Sequence, residues 1–517
     1  MTTWTSGYVA EIDYAHGYFR ELSPALLSLA TLNRSVATGT ATAGRRMRYL
    51  ELGFGQGVSL AIHAAACEGE FWGTDFHPGQ AANALEMVRA AGSDARIFDQ
   101  SFTEFAARDD LPEFDCITLH GIWTWISDEN RAAIVDLVRR KLACGGVLYL
   151  SYNSLPGCAP LQPLRHLMHL HSELAGFADS GITAKVRDAM HFTQEVIDSE
   201  AHYFALNPML AMRFAAMKEQ PPGQMAHEYF CRDWEIMAFS QVEAMLREAK
   251  LEFACSASLL DHVDGIDLTP QWQALLADIA QPVLRESVRD YMLNTQFRKD
   301  IFVKGGRPMT ALQRTEAYLA SNFVLTTLPQ DVPATLKGLA GELVFDQALY
   351  GPLLAALADR GHAPKTLASI VAAPGLVGWT VESIIQALLA LNGEGHVHPA
   401  QAPVQADLAE ARCRSLNTAI LKRARYDNQV GFLASCVTGA GFQTHRIEQL
   451  FLLAHQNFLP VEEWPRFVFD TLIASGAKVV RRGETMEGEA DSIAELQRQA
   501  ADFCNRRLPI FQALRIV

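Results

Sequence analysis

YLELGFGQG, residues 49–57, joins a run of apolar residues to glycines at every second position. With Met47 and Arg48 before it, the run reads as a buried central strand, and Gly53, Gly55 and Gly57 read as the sharp turn that feeds a helix. Further along, FWGTD (71–75) ends in Asp75. Its place after the glycines matches the ~20 residues that separate a glycine-rich nucleotide loop from the carboxylate that holds a ribose.

On either side of this loop, residues 47–150 alternate short β-rich runs with helical text. MRYLEL, FWGTD, RIF, DCITL and GVLYLSY are separated by stretches such as PGQAANALEMVRAAG and NRAAIVDLVRRKLA. That alternation predicts an α/β fold with a parallel, doubly wound, Rossmann-like sheet. A helical insertion is expected over about 160–249, and LEFACSASL (251–259) and KDIFVKG (299–305) read as two more strands, which closes the first domain near residue 310. LYGPLLAALADRG, KTLASIVAAPG and TVESIIQALLALNGEGHVHP read as three short helices and a glycine-punctuated strand, so a winged-helix-like domain is expected over 311–400. The remainder, 401–517, reads as mainly helical, with a hairpin at AKVVRRGETME (477–487), and TATAG (40–44) reads as loop.

The glycine loop separates two ligands. Dinucleotide loops read GxGxxG, because a pyrophosphate sits on the helix N-terminus and a third glycine lets the helix pack closely. Here the pattern is E-L-G-x-G-x-G, with Glu51 inside it. A carboxylate at that place suits a ligand that carries an ammonium group and no phosphate.

With these residues, segment 47–150 resembles class I S-adenosylmethionine-dependent methyltransferases, whose first motif is ExGxGxG. The resemblance implies a seven-stranded sheet and S-adenosylmethionine as cofactor. It implies that the backbone of Gly53, Gly55 and Gly57 approaches the cofactor, that Glu51 faces its methionine part, and that Asp75, followed by Phe76, binds both ribose hydroxyls. It further implies that Asp99 in RIFDQSF holds the adenine amino group beside Phe102, and that His120 lies next to the methyl donor. Tyr8 and Tyr14, LHGIWTWI, YNSLPG (152–157), HEYF (227–230) and QFRKDIFVKG (296–305) together resemble bacterial methyltransferases that carry a methyltransferase-regulatory domain. Rickettsial-type protein lysine methyltransferases, which act on an outer-membrane surface protein, are among them. That resemblance adds Tyr8 to the cofactor set and implies a protein acceptor modified on lysine. Enzymes acting on adenine bases or glutamine amides typically carry an (N/D)PP(Y/F) motif after the fourth strand, and here those positions read His120-Gly121-Ile122-Trp123. An amide or nucleobase acceptor is therefore not expected.

Methyl transfer is an in-line displacement, so orientation and exclusion of water supply most of the acceleration. A lysine acceptor must also lose a proton from a group whose ordinary pKa is ~10.4. Aromatic walls and hydrogen-bond acceptors near the methyl group are required. Trp123, Trp125, Tyr152 and Asn153 follow the fourth and fifth strands, at the sheet edge where such folds bind ligands. His227, Glu228 and Tyr229 lie in the insertion that can cover that edge. The catalytic candidates are thus Trp123, Tyr152, Asn153, His227 and Glu228. Each has an ordinary alternative: core packing for Trp123 and His120, a turn for Asn153, a solvated helix face for His227 and Glu228, and a helix cap for Asp99.

Composition narrows the class. A chain of 517 residues exceeds the ~250–300 at which single cores stop growing, so two or three domains are expected. The formal charge of −14 opposes a nucleic-acid partner, since that affinity comes from Lys and Arg neutralising phosphates. The 380–391 helix, which would enter a groove, has no Lys or Arg. The nine cysteines never form CxxC, which argues against zinc and against a disulfide framework, and no metal is expected. MTTWTSGYVAEIDY lacks the basic start and apolar run of a signal peptide, and no segment approaches 18 uninterrupted apolar residues. A cytoplasmic location without membrane attachment is expected. Two further functions fit these features: a small-molecule methyltransferase whose insertion forms a lid, and a cofactor-binding regulator.

Overall fold

The computed structural model describes residues 7–12, 14–39, 46–175, 181–481 and 484–517. The TATAG stretch lies outside the described residues.

Seven strands form the central sheet: β1 Met47–Leu52, β2 Gly69–Thr74, β3 Arg96–Phe98, β4 Phe114–Leu119, β5 Leu142–Asn153, β6 Leu251–Ser256 and β7 Phe297–Lys304. Their spatial order is β3-β2-β1-β4-β5-β7-β6. The first five run parallel, and β7 runs antiparallel to both β5 and β6. Order reverses between β1 and β4, which opens a crevice at their carboxyl ends. β1 is apolar at nearly every position because both of its faces are covered: Tyr49 belongs to one core and Leu50 and Leu52 to another, on opposite sides of the pleat.

The helices beside the crevice are fixed by local chemistry. Helix α1 (Val58–Ala66) starts directly after the glycine loop. Helix α2 (Pro78–Ala91) has Pro at its first position, a His77 ring that accepts from Gly79 and Gln80 N–H, and left-handed Gly92 at its end. Helix α3 (Asp128–Lys141) is capped by Ser127 and carries acids in its first turn and bases in its last.

Between β5 and β6 the chain forms the expected helical insertion, including Leu161–Leu174, Ile182–Asp198 and Pro222–Tyr229. It has a core of its own, built from Leu164, Met168, Phe214 and Phe230, against which the N-terminal residues Tyr8, Val9 and Ile12 pack.

Beyond the sheet, the three expected helices and the strand after them form, and a small sheet joins them to a strand from upstream. Strands β8 (Asn322–Leu325), β9 (Lys365–Thr366) and β10 (Val397–Ala400) form an antiparallel sheet in the order β9-β8-β10. The middle strand comes from upstream of the helices, and β10 leads straight into the long helix Pro403–Arg423, with no second wing strand after it. Helix Val381–Gly393 buries Ile384, Ile385 and every residue from Ala387 to Asn392, because that side packs into the core. Helix Pro403–Arg423 in turn packs on the sheet's own helices: Leu416 and Ile420 share a core with Val58, Ile62 and Val88. A hairpin forms at Val480–Arg481 and Glu484–Thr485. Among the described residues, no helix is long and apolar enough to cross a membrane, no group of side chains could hold a metal ion, and all nine cysteines are free thiols.

Candidate active site

The crevice at the carboxyl ends of β1 to β4 is a cleft of about 1140 Å³, counting its open mouth. Its lining includes Glu51, Gly53 and Gly55 from β1 and the glycine loop, Asp75 and Phe76 after β2, Phe102 after β3, His120 after β4, and Tyr8 and Tyr14 of the N-terminal arm.

The glycines divide in two. All three have positive φ, between +56° and +74°, a region that side chains disfavour. A Cβ on Gly53 would lie 2.4 Å from Ile122 Cδ1, and one on Gly55 would face the cleft 3.4 Å from the Tyr14 ring. At Gly57 the obstacle is Ala84 Cβ, 2.3 Å away on α2, and Gly57 does not line the cleft. Its expected approach to the cofactor is therefore corrected: close packing of α2 requires it.

Asp75 is buried, and each carboxylate oxygen accepts one backbone N–H, from Gly55 at 2.9 Å and His77 at 3.0 Å. Each oxygen keeps a lone pair for a further donor. Burial, partly offset by those bonds, pushes Asp75 up to about 6. Glu51 is buried 3.5 Å from the Tyr49 hydroxyl, and burial pushes it up to about 8. No Lys or Arg makes an ion pair with either carboxylate among the described residues. Two buried, unneutralised carboxylates around a cleft fit a ligand that brings hydroxyl donors and a positive charge, as the ribose and the methionine part of S-adenosylmethionine do.

His120 stacks on Phe19 at 3.9 Å and shares a 2.8 Å hydrogen bond with the Tyr149 hydroxyl through Nδ1. Burial lowers it to about 4, so it is a neutral imidazole at the cleft wall. Phe76 meets Tyr8 edge to face at 5.6 Å.

Several expected residues lie elsewhere. Asp99 is exposed and absent from the lining, which its neighbours Gln100 and Ser101 join. Nor is Asp99 the helix cap, since Ser101 and Glu104 form a capping box. Tyr152 points into the core on the far face of β5, where its hydroxyl donates to Asp300 at 2.8 Å. Tyr149 and Ser151, on the opposite face, serve the cleft side, Ser151 by accepting from Gly121 N–H. Trp123 is fully buried core, and Trp125, two residues on, lines the cleft. Asn153 is engaged through its backbone with Thr124 and Met237. His227 is buried, with Nε2 at 2.9 Å from the Ile12 carbonyl, and neither it nor Glu228 is part of the lining. The cleft also includes Phe19, Gln100, Ile122, Asn130 and Asp233, which the sequence reading missed. Adjacency of Gln100 to the expected acid was the available signal for that residue, and the long-range placement of Phe19 and Asp233 left none.

Comparisons with known proteins agree with this geometry. The family model described as "Methyltransferase domain" matches residues 50–146, and "Predicted methyltransferase regulatory domain" matches 222–304. A protein of Synechocystis sp. (strain ATCC 27184 / PCC 6803 / Kazusa), the uncharacterized protein sll1526, is 35% identical over 516 residues, covering 99% of this chain and all of the relative. The uncharacterized protein RP789 of Rickettsia prowazekii is 22% identical over 285 residues, 55% of this chain and 50% of that one. Among solved structures, PKMT2 from Rickettsia typhi superposes with a TM-score of 0.68 at 15% identity, over 97% of this chain and 99% of that one, and it has also been solved in complex with AdoHcy. The chain belongs to the family of its Synechocystis relative, class I S-adenosylmethionine-dependent methyltransferases with a methyltransferase regulatory domain.

Proposed function

We propose that the enzyme methylates lysine side chains of a protein substrate, in the cytoplasm. The observation that carries this reading is the whole-chain likeness to PKMT2 of Rickettsia typhi, which extends through the C-terminal half and not only the cofactor-binding sheet. Methyl transfer to a small molecule gives no reason for some 200 residues packed onto the back of the sheet's helices. In this reading the 311–400 module and the helices after it hold the protein acceptor. Their buried, base-free helix Val381–Gly393 lacks the phosphate-neutralising charge that a nucleic acid would need.

S-adenosylmethionine supplies an activated methyl group. This chain's own residues bind and orient. Asp75 accepts hydroxyl protons at the ribose position, Glu51 faces the cationic amino-acid end, and Phe76 and Phe102 flank the base. Gln100 offers an amide at the place expected of Asp99. His120, held neutral between Phe19 and Tyr149, leaves the neighbourhood of a sulfonium free of positive charge.

The test is incubation of the full-length enzyme with radiolabelled S-adenosylmethionine and host lysate. Label is expected in protein, and acid hydrolysis is expected to return it as methyllysine. Label confined to the small-molecule fraction would replace this reading with the lidded small-molecule enzyme.

A further inference from the structure

The cleft has a wall of aromatic side chains contributed from outside the strands of the central sheet. Tyr8 and Tyr14 line it from the N-terminal arm, and Trp125 from the turn after β4. The rings of Tyr8 and Tyr14 pack against His227 at 5.5 and 5.2 Å, and the Trp125 indole N–H donates to the Glu228 carbonyl at 3.2 Å. Three aromatic side chains from two separate segments thus converge on residues 227 and 228 of the insertion. The arm is fastened there: Arg232 N–H donates to the Gly7 carbonyl at 2.9 Å, and His227 meets the Ile12 carbonyl.

Glu228 is what makes this wall chemically specific. Its carboxylate makes no hydrogen bond or ion pair among the described residues, and it is not sealed from solvent. Burial pushes it up to about 7. Glu228 directly follows His227, against which both tyrosine rings pack, and its own carbonyl takes the Trp125 indole N–H, so all three rings meet this two-residue step; burial and then Glu228 push the Tyr14 phenol up to about 12. A carboxylate without a cation, on a two-residue step contacted by three electron-rich rings that line the cofactor cleft, has the composition of a site for an organic cation.

We infer that Tyr8, Tyr14 and Trp125 form the side walls, and the Glu228 carboxylate the end, of a subsite that binds the primary ammonium of the acceptor side chain. This rests on the lysine reading above and assigns its location. An unbranched aliphatic stem fits between the rings, and the charged head meets Glu228.

The subsite can be tested by binding alone, on full-length protein saturated with S-adenosylhomocysteine. Nα-acetyl-lysine methylamide and its uncharged analogue Nα-acetyl-norleucine methylamide are titrated by ligand-observed NMR. The lysine probe is expected to bind the wild type at least ~10-fold more tightly, and Glu228→Gln is expected to reduce that preference below ~3-fold with S-adenosylhomocysteine affinity unchanged. Equal binding of the two probes to wild type, or a preference that survives Glu228→Gln, overturns the assignment. If Glu228→Gln fails to bind S-adenosylhomocysteine, Trp125→Leu decides instead: weaker binding of the lysine probe supports the subsite, and unchanged binding overturns it. A Glu228-dependent preference together with no label in methyllysine would keep the subsite and remove the protein acceptor.

Discussion

Two groups of buried carboxylates lie on this one sheet, and they are solved in opposite ways. At the β5–β7 side, Asp300, Asp290 and Glu286 close around Arg298, whose guanidinium donates to them at 2.8, 2.7 and 3.0 Å and lies 4.3 Å over the Phe239 ring. At the β1–β2 side, Glu51 and Asp75 have no such cation. Arg298 holds Asp290 to about 6 against its burial, whereas burial takes Glu51 to about 8. A carboxylate group that brings its own counter-ion holds strands together, and one that lacks it is waiting for a ligand. Neither kind announces itself in the sequence: Glu51 and Asp75 stand at or beside strand ends, Asp300 lies within β7, and Asp290 and Glu286 sit on the helix Pro282–Leu293 before it.

Removing the internal cation should have the largest effect. Arg298→Ala leaves three carboxylates in low dielectric without a counter-ion, which typically costs about 3–5 kcal/mol. A thermal or denaturant melt should show that loss, and adding Asp290→Asn and Asp300→Asn should recover part of it. A melt within about 1 kcal/mol of wild type would mean the cluster is solvated and the contrast is false.

At the other group the same kind of change should act on the ligand and spare the fold. Asp75→Ala is expected to weaken S-adenosylhomocysteine binding by roughly 1.5–3 kcal/mol, the scale for losing charged hydrogen-bond acceptance. The free protein should melt within about 1 kcal/mol of wild type, because removing a buried, unneutralised charge offsets the lost acceptors of the Gly55 and His77 N–H groups. Calorimetry and a melt on one preparation check both halves.

Glu51 sharpens the contrast through pH. A carboxyl raised above its unfolded value binds its proton more tightly when folded, so its contribution to stability is lost as pH rises toward about 8. A bound ammonium favours the ionised form and expels that proton. S-adenosylmethionine affinity should therefore rise between pH 6 and 7.5, by no more than about one decade per pH unit, below the ~7.7–8.0 at which an α-amino group itself titrates. The binding heat should also depend on the ionisation enthalpy of the buffer. Glu51→Gln should flatten both.

What the sequence made legible follows the range of the forces involved. Glu51, the glycines and Asp75 belong to one continuous strand–loop–helix–strand unit, so local spacing carried them, and the seven strands followed from apolar runs of the right length. Tyr152 was misplaced because successive residues of a strand face opposite ways, and β5 is buried on both faces. No amphipathic alternation in LYLSYN says which parity meets the crevice, and the structure assigns it to Tyr149 and Ser151. The arm carrying Tyr8, Tyr14 and Phe19 reaches the cleft through contacts with the insertion, which no local pattern encodes. The small sheet of the 311–400 region was only partly legible for a similar reason, since its middle strand comes from upstream of the helices that signalled the domain.

The smallest expected effect separates an adenine contact read from sequence from one read from geometry. Asp99 follows β3 at the position where the resemblance places an acid on the adenine amino group, yet its side chain is exposed and outside the cleft. Gln100 lines the cleft, and its backbone carbonyl accepts from Thr74 Oγ1 at 2.6 Å, which fixes the turn at that residue. An exposed carboxylate with no buried partner contributes little when removed, so Asp99→Ala should change S-adenosylhomocysteine affinity by less than about 0.5 kcal/mol. Gln100→Ala removes an amide beside the base, and should cost about 0.5–1.5 kcal/mol, the net worth of one neutral hydrogen bond. The two variants are compared by titration under one condition. If Asp99→Ala is the weaker binder of the pair, the turn after β3 swings the acid inward when the cofactor arrives, and the division between Asp99 and Gln100 drawn from this structure fails.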